Sequence, residues 1–204
     1  MKPPTLIVDL GGVLLRIEYA RFVEKLGLNH LMNEDDLLHL LTPDAQLYET
    51  GKLSTKIFFQ RVSKRMNLEY DESRLRAAWL AILAGEVSGM SDVISQLSRQ
   101  TQLFLLSNTN ELHFTYAREH FPILTFFEQY YLSYQIGVMK PAAGAYRHVI
   151  QKLGAHPRDL LFFDDLEKNV LGAQQAGLRS VLFTGVEDFC SKLKEDGFQI
   201  MQRQ

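Results

Sequence analysis

Four short apolar runs, separated by longer mixed segments, dominate the hydrophobic pattern of this chain. They are TLIVDL (5–10), QLFLLSN (102–108), DLLFFDD (159–165) and RSVLF (179–183), with QYYLSYQIG (129–137) as a weaker fifth. Continuous apolar runs of this length, bounded by polar residues, glycine or proline, are typical of strands that are covered on both faces. The pattern therefore predicts a buried parallel sheet.

Helical periodicity lies between the later runs. In residues 141–154 apolar residues recur at intervals of three and four, Pro141 suits the first helical position, and Gly154 suits the end. Residues 167–177 are a shorter helical segment that also ends in glycine. Strands that alternate with helices of this size predict βαβ units, and hence an α/β core with a doubly wound parallel sheet.

The segment between the first and second strands has a different pattern. Residues 16 to about 90 contain no convincing strand, and Ser54 and Asp71 are suitable N-cap residues within them. The predicted helices there are 19–27, 34–41, 43–50, 54–66 and 71–84. We therefore predict a catalytic core made of residues 1–15 and 90–204, with a helical cap of residues 16–89 inserted after the first strand.

Composition narrows the class of protein. The 204 residues are 46% hydrophobic and 23% charged, which is ordinary for a globular chain, and the formal net charge is −2. Such a balance gives no basic surface for nucleic acid or an anionic membrane, and no apolar run reaches the ~18 residues of a membrane span. The single cysteine, Cys190, excludes an internal disulfide. We expect a cytoplasmic monomer or homodimer that binds neither nucleic acid nor membrane.

Chemically reactive side chains follow the predicted strands. The first strand ends in Asp9, the second in Ser107 and Asn108, and the third strong strand in Asp164-Asp165. In open α/β sheets, ligands bind beyond the carboxyl ends of the strands, so these residues should meet. Three carboxylates in one pocket would repel one another unless a cation lies between them. Oxygen ligands without a convergent histidine or cysteine favour Mg²⁺.

The same edge should also bind phosphate. Lys140 precedes the helix that starts near Pro141, and its ammonium group, together with magnesium and a hydroxyl group, suits a phosphate dianion. Once the phosphate charge is neutralised, Asp9 can attack phosphorus and form an aspartyl phosphate. Gly11 and Gly12 would let the backbone approach the phosphate closely and donate N–H groups to it.

Four ordered segments, VDLGGVLL, LLSNTN, GVMKPAAGAY and FFDDLEKNV, resemble the motifs of the haloacid dehalogenase superfamily of hydrolases. The resemblance covers residues 5 to about 185 and includes the cap segment YETGKLSTKIFF. Residues 107–113, 132–146 and 162–169 are most similar to the bacterial subgroup that contains α-glucose-1-phosphate phosphatase. The resemblance implies magnesium-dependent hydrolysis of a small phosphorylated metabolite, with a sugar phosphate as the expected substrate.

The resemblance also implies roles at matching positions of the first three motifs. Asp9 would be the nucleophile and a magnesium ligand, and the carbonyl group of Gly11 would be a further ligand. Ser107 would bind a phosphoryl oxygen, assisted by the backbone of Asn108. Lys140 would hold both the phosphate and the nucleophile.

In the fourth motif, the resemblance implies that Asp165, together with Asp164, binds magnesium. Asn169 would support this loop, at a position where many relatives have a further carboxylate. These assignments complete the expected metal site.

Gly11 departs from the family pattern. Most phosphatases of the superfamily have a second aspartate there, which protonates the leaving oxygen and then activates water, and such assistance is worth ~10²–10⁴ in rate. Three hypotheses follow: the enzyme works without this group, another group such as Glu18 supplies the proton, or the protein only binds a phosphorylated ligand. The subgroup that the chain resembles also has DLG, which favours the first.

A 2-haloacid dehalogenase is a lesser alternative. In that branch Asp9 would attack carbon, and no magnesium would be needed. The Asp164-Asp165 pair argues against it, because carboxylates packed there without a metal would repel a carboxylate substrate.

Overall fold

A computed structural model describes residues 3–28 and 34–201 of the chain. Its strands within these ranges are β1 Thr5–Val8, β2 Leu15–Ile17, β3 Leu83–Glu86, β4 Leu103–Ser107, β5 Gln129–Leu132, β6 Leu160–Asp164 and β7 Arg179–Leu182. Five of them form one parallel sheet in the order β5-β4-β1-β6-β7. All five strands predicted from the apolar runs are therefore confirmed, although β5 is shorter than its run.

Helices cover this sheet and fill the segment between β2 and β3. They are α1 Ala20–Lys25, α2 Glu34–Glu49, α3 Thr55–Arg65, α4 Glu72–Ala81, α5 Met90–Leu97, α6 Glu111–His120, α7 Ser133–Ile136, α8 Ala143–Leu153, α9 Glu167–Gln175 and α10 Val186–Glu195. Within the described ranges, none of these helices is both long and apolar enough to cross a membrane.

The central strand β1 shows why the sheet is covered on both faces. Side chains alternate between the faces of a strand, and here Leu6 and Val8 join an apolar cluster with α5, α6 and α10. Ile7, between them, joins a second cluster with α8 and α9. All three are fully buried. The doubly wound α/β fold predicted from the sequence is thus confirmed.

Helices α1 to α4 have an apolar core of their own. Phe22, Phe58, Phe59 and Trp79 are buried in it, and Phe22 and Phe58 each pack edge-on against Trp79. Below these helices, β2 and β3 pair as an antiparallel ribbon that joins the segment to the sheet core. The domain boundaries at residues 16 and 89 remain a prediction, because a compact cluster does not by itself define where a domain begins.

Two local predictions in this segment are wrong. Residues 16–90 do contain strand, at β2 and β3, each of only three or four residues and therefore too short to produce a recognisable alternation. The two helices predicted at 34–41 and 43–50 are one helix, α2, with Pro43 inside it. The side chain of Pro43 is exposed, so its ring displaces no core residue. The predicted N-caps are confirmed, since Ser54 and Asp71 each accept a backbone N–H.

Candidate active site

Asp9 follows the last residue of β1 and is 7% exposed. Its Oδ1 accepts a hydrogen bond from the Leu10 N–H at 2.7 Å and lies 2.8 Å from Lys140 Nζ. Among the described residues, none donates to the second oxygen, Oδ2. Asp9 therefore has one oxygen held by the protein and one available to a ligand.

Lys140 connects Asp9 to the end of β6. Its ammonium group is 2.5 Å from Oδ2 of Asp164, which is fully buried. The other oxygen of Asp164 accepts from the N–H of Leu166 and from Nδ2 of Asn169, both at 2.9 Å. Lys140 is thus held between the carboxylates of Asp9 and Asp164, and the hydrogen bond from Asn169 to Asp164 joins α9 to the loop after β6.

The backbone of Lys140 is held by a side chain that follows β4. Asn108 donates from Nδ2 to the Lys140 carbonyl at 2.9 Å, and its Oδ1 accepts the Lys140 N–H at 2.8 Å. The family resemblance implies that the Asn108 backbone assists phosphate binding, whereas the structure shows a contact through its side chain that positions Lys140. Ser107 is buried next to it, at the end of β4. Both predicted residues thus lie at the same sheet edge as Asp9.

Gly12 allows the fourth-motif loop to approach the first. It has a φ of +73°, and a Cβ atom on it would lie 2.0 Å from Oδ2 of Asp165. Only glycine satisfies both conditions, because the left-handed region disfavours side chains and the space is filled by the carboxylate. The N–H of Gly12 donates to the Leu15 carbonyl at 2.8 Å, within its own turn. Gly12 therefore lets the Asp165 loop lie close to the first loop, while its own N–H binds within the turn.

Burial and like charge determine the electrostatics of this cluster. Burial, together with the charges of Asp164 and Asp165 and against the opposing effect of Lys140, raises the pKa of Asp9 to about 8. Burial also raises the pKa of Asp165, with Asp164 as the next cause. Burial by itself would lower the pKa of Lys140. The negative charges of Asp9 and Asp164 outweigh this effect, so the pKa is raised. The cluster holds excess negative charge that a cation would neutralise.

The donor set fits magnesium. Asp9, Asp164 and Asp165 each offer one oxygen, and these oxygens all lie within 4.8 Å of one another. Octahedral Mg²⁺ has oxygen ligands at 2.0–2.1 Å, so opposite ligands are about 4.2 Å apart. A small movement of the side chains would bring the three oxygens to these distances. Asp165 and Oδ2 of Asp9 have no side-chain partner among the described residues, whereas both oxygens of Asp164 are already engaged. The first two are therefore the best direct ligands.

Gly11 leaves the expected position of the second aspartate without a side chain. A Cβ atom there would lie 3.0 Å from Cγ1 of Ile17. The substitute considered from the sequence, Glu18, is bound to Arg16 at 3.0 Å and to Arg21 at 2.6 Å. Both carboxylate oxygens of Glu18 are thus paired with guanidinium groups, and no side-chain contact among the described residues links Glu18 to the carboxylates at the strand ends.

Two further groups, one in the loops of this edge and one on α2, lie outside the four family motifs. Ser133, at the start of α7, accepts the Thr109 N–H at 2.9 Å and donates to the Thr109 carbonyl at 3.0 Å, which fixes the loop after β4. Glu49, the last residue of α2, lies in a crowded setting, and burial raises its pKa to about 7. Only the tertiary packing of α2 distinguishes it from other surface glutamates.

Comparisons with known proteins find relatives that match most of this chain. D-ribitol-5-phosphate phosphatase of Bacteroides thetaiotaomicron is 29% identical over 184 residues, which are 86% of this chain and 89% of the relative. A haloacid dehalogenase family enzyme of the same organism, solved with magnesium and inorganic phosphate, superposes with a TM-score of 0.82 at 26% identity. It covers 93% of this chain and 98% of its own.

A predicted hydrolase of this type from Porphyromonas gingivalis superposes with a TM-score of 0.80 at 25% identity, over 96% of this chain and 98% of its own. The sequence profile of the family haloacid dehalogenase-like hydrolase matches residues 3–177, which include every strand-end residue described above. Because this profile matches most of the chain and the fold agrees with it, the chain belongs to the haloacid dehalogenase-like hydrolase family.

Proposed function

We propose that this hydrolase is a magnesium-dependent phosphatase that releases phosphate from small phosphomonoesters through an aspartyl phosphate on Asp9. The observation that carries the proposal is the arrangement of Asp9: Oδ1 is fixed by Leu10 and Lys140, while Oδ2 has no partner among the described residues. A nucleophile needs one oxygen free and a fixed direction of attack.

Magnesium is proposed to bind between Asp9 and Asp165, with Asp164 and the Gly11 carbonyl completing the protein ligands. When bound, magnesium neutralises charge on the phosphoryl oxygens and on the carboxylates. This role is supported by the spacing of the three carboxylates and by the pKa values of Asp9 and Asp165, which burial and then the neighbouring carboxylates raise and which a bound cation would lower again.

The remaining residues are proposed to orient the phosphoryl group. Lys140 Nζ, held by two carboxylates, offers its third donor to a phosphoryl oxygen, and Ser107 offers its hydroxyl. Gly11, Gly12 and Asn108 form the backbone wall beside it. Asp9 Oδ2 then attacks phosphorus, the bond from phosphorus to the leaving oxygen breaks, and water later hydrolyses the aspartyl phosphate and regenerates Asp9.

A phosphorylated sugar or polyol is the proposed substrate class. The support is the relative from Bacteroides thetaiotaomicron, which acts on D-ribitol 5-phosphate and matches most of both chains. Residues 16–89 are proposed to act as the cap that closes over such a substrate. Their helices pack on the core beside the site, for example through His113 of α6, whose ring stacks on Trp79 of α4.

The test is phosphate release from D-ribitol 5-phosphate, glucose 1-phosphate and p-nitrophenyl phosphate, with MgCl₂ or EDTA. We expect release with magnesium, none with EDTA, and none from Asp9→Asn. Asp188→Asn is the matched control, because that aspartate is 39% exposed on α10 and pairs only with surface groups. Release that persists in EDTA would contradict the magnesium role, and no release from any substrate would favour the alternative of a ligand-binding protein.

A further inference from the structure

The side chain of Ile17, at the end of β2, fills the space that a side chain at position 11 would need. We propose that Ile17 is a specificity-determining residue, which closes the position of the missing second aspartate and presents an apolar surface to the leaving oxygen. This inference rests on the proposed function, since the second aspartate of similar phosphatases is the group that protonates that oxygen. The expected consequence is a preference for leaving groups that depart without a proton.

The backbone at Gly11 would accept a side chain. Its φ lies outside the left-handed region, in contrast to Gly12 with a φ of +73°, so any L-residue is compatible with it. A Cβ atom on Gly11 would lie 3.0 Å from Cγ1 and 3.4 Å from Cδ1 of Ile17. Apart from the chain neighbours of Gly11, no other described residue has an atom within 4 Å of this Cβ position. Ile17 is therefore the steric obstacle.

The turn that carries Gly11 is fixed by its own hydrogen bonds. Gly11 forms a bridge with Leu15, and the Gly12 N–H donates to the Leu15 carbonyl at 2.8 Å. The N–H groups of Leu14 and Leu15 both donate to the Leu10 carbonyl at 2.9 Å. The side chains of Leu14 and Leu15 are fully buried. The turn therefore cannot move away from Ile17 without breaking these bonds and exposing apolar side chains.

Ile17 is fixed from the opposite side. It pairs with Leu83 of β3, and the N–H of the next residue, Glu18, donates to the Ile82 carbonyl at 3.0 Å. Its side chain packs against two apolar clusters, the one below the sheet that contains Leu15 and the one formed by α1 to α4. A Cβ atom at position 11 needs Ile17 to give way by a few tenths of an ångström. That movement would disturb both clusters, because packed interiors leave little free space.

The contact between Gly11 and Ile17 borders space that a substrate can enter. Both residues are partly exposed, and Asp9, two positions before Gly11, has its Oδ2 available to a ligand. In the reaction, Asp9 Oδ2 forms a bond to phosphorus and the bond from phosphorus to the leaving oxygen breaks. With Ile17 at this position, the leaving oxygen takes its proton from water and not from a protein side chain. Leaving groups that are stable as anions should therefore be favoured.

The test combines Gly11→Asp with Ile17→Ala, which removes both Cγ1 and Cδ1. It measures kcat/KM, which covers the steps up to departure of the leaving group, for D-ribitol 5-phosphate and p-nitrophenyl phosphate. In the double variant the introduced carboxyl group can give its proton to the leaving oxygen. Its kcat/KM for the alkyl phosphate should exceed that of Ile17→Ala by on the order of 10²-fold. The value for p-nitrophenyl phosphate should change little, because nitrophenolate leaves without a proton. Gly11→Asp alone should give no gain on either substrate.

Two matched controls separate the acid from the space. Gly11→Asp with Leu83→Ala removes apolar volume from the same ribbon but away from position 11, and it should give no gain. Gly11→Asn with Ile17→Ala has the same shape without the acid and should also give none. Ile17→Val removes only Cδ1 and disturbs the packing less, so with Gly11→Asp it should give an intermediate gain. Thermal melting of each variant reports whether it is folded.

Three results would overturn the role of Ile17. An equal gain in Gly11→Asp alone would show that Ile17 does not close the position. An equal gain on both substrates, or no gain over the Gly11→Asn variant in folded proteins with Ile17→Ala or Ile17→Val, would show that the position does not face the leaving oxygen. A failure of the phosphatase proposal itself is recognised separately, since the wild-type protein with MgCl₂ would then release no phosphate from either substrate.

Discussion

Gly12 is the residue at which one added methyl group should disturb the metal site most directly. Its backbone is left-handed, and the Asp165 carboxylate fills the space that a side chain would need. We expect Gly12→Ala to displace Asp165 and to weaken magnesium binding by about 10–100-fold, the usual cost of disturbing the groups that orient a metal ligand. The measurement is phosphate release as a function of magnesium concentration.

Gly27→Ala separates this effect from backbone strain. Gly27 has a nearly identical φ of +70°, but nothing lies within 4 Å of its added Cβ. Both variants should lose about 1–2 kcal/mol of stability through the left-handed backbone. Only Gly12→Ala should need more magnesium, and an equal requirement in the two variants would show that the contact with Asp165 has no effect on the site.

For single residues, the position of a side chain could be predicted from the sequence where the residue lies at or directly after the end of a strand. Asp9, Ser107 and Asp164 could be placed at one edge because parallel strands end together. The side-chain contact of Asn108 with Lys140 could not be predicted, since it joins positions 32 residues apart through a loop geometry.

Among the elements, α4, in the segment between β2 and β3, and α6, which follows β4, are joined through His113. Its ring stacks on Trp79 at 4.9 Å between centroids, and Nε2 lies 2.8 Å from the Trp79 carbonyl. Nδ1 lies 3.3 Å from Nδ2 of Asn110, the N-cap of α6. Burial lowers the pKa of His113 from 6.5 to about 4, with the contact to the Trp79 carbonyl opposing the shift. The neutral ring is therefore the form that joins the two helices.

This shift predicts how stability depends on pH. Between pH 6.5 and 4, the unfolded chain binds a proton at His113 that the folded protein does not, so the contribution of the neutral ring is complete above pH 6.5 and is lost as the pH falls towards 4. We expect the free energy of unfolding, measured with urea, to fall less steeply over this interval in His113→Gln. His120→Gln, on the exposed end of the same helix, is the control and should follow the wild-type slope.

Element prediction succeeded where a segment is continuously apolar and failed where a strand depends on its pairing partner. The apolar runs of β1, β4 and β6 identified a buried sheet before its order was known. The ribbon of β2 and β3 pairs Leu15 with Glu86 and Ile17 with Leu83, and β3 also contains Ala84 and Gly85, which have little preference for strand. Its stability comes from pairing with β2, which no local pattern in the sequence can indicate.

At the scale of the whole molecule, the candidate metal site exists only in the folded chain. Its ligands come from the ends of β1 and β6, and Lys140 reaches them from the segment before α8. An unfolded chain holds these groups far apart. A divalent cation that binds this site should therefore stabilise the native state by mass action, by about 2.7 kcal/mol when its concentration is one hundred times its Kd.

We expect MgCl₂ to raise the melting temperature of the wild-type protein in a concentration-dependent manner. Asp165→Asn should lose most of this increase, because it removes a negative charge from a ligand that has no side-chain partner among the described residues. Asp188→Asn should keep the increase. Differential scanning calorimetry at constant ionic strength, maintained with NaCl, separates binding from screening. An equal increase in Asp165→Asn and in the wild type would mean that the three carboxylates do not form the site through which magnesium stabilises the fold.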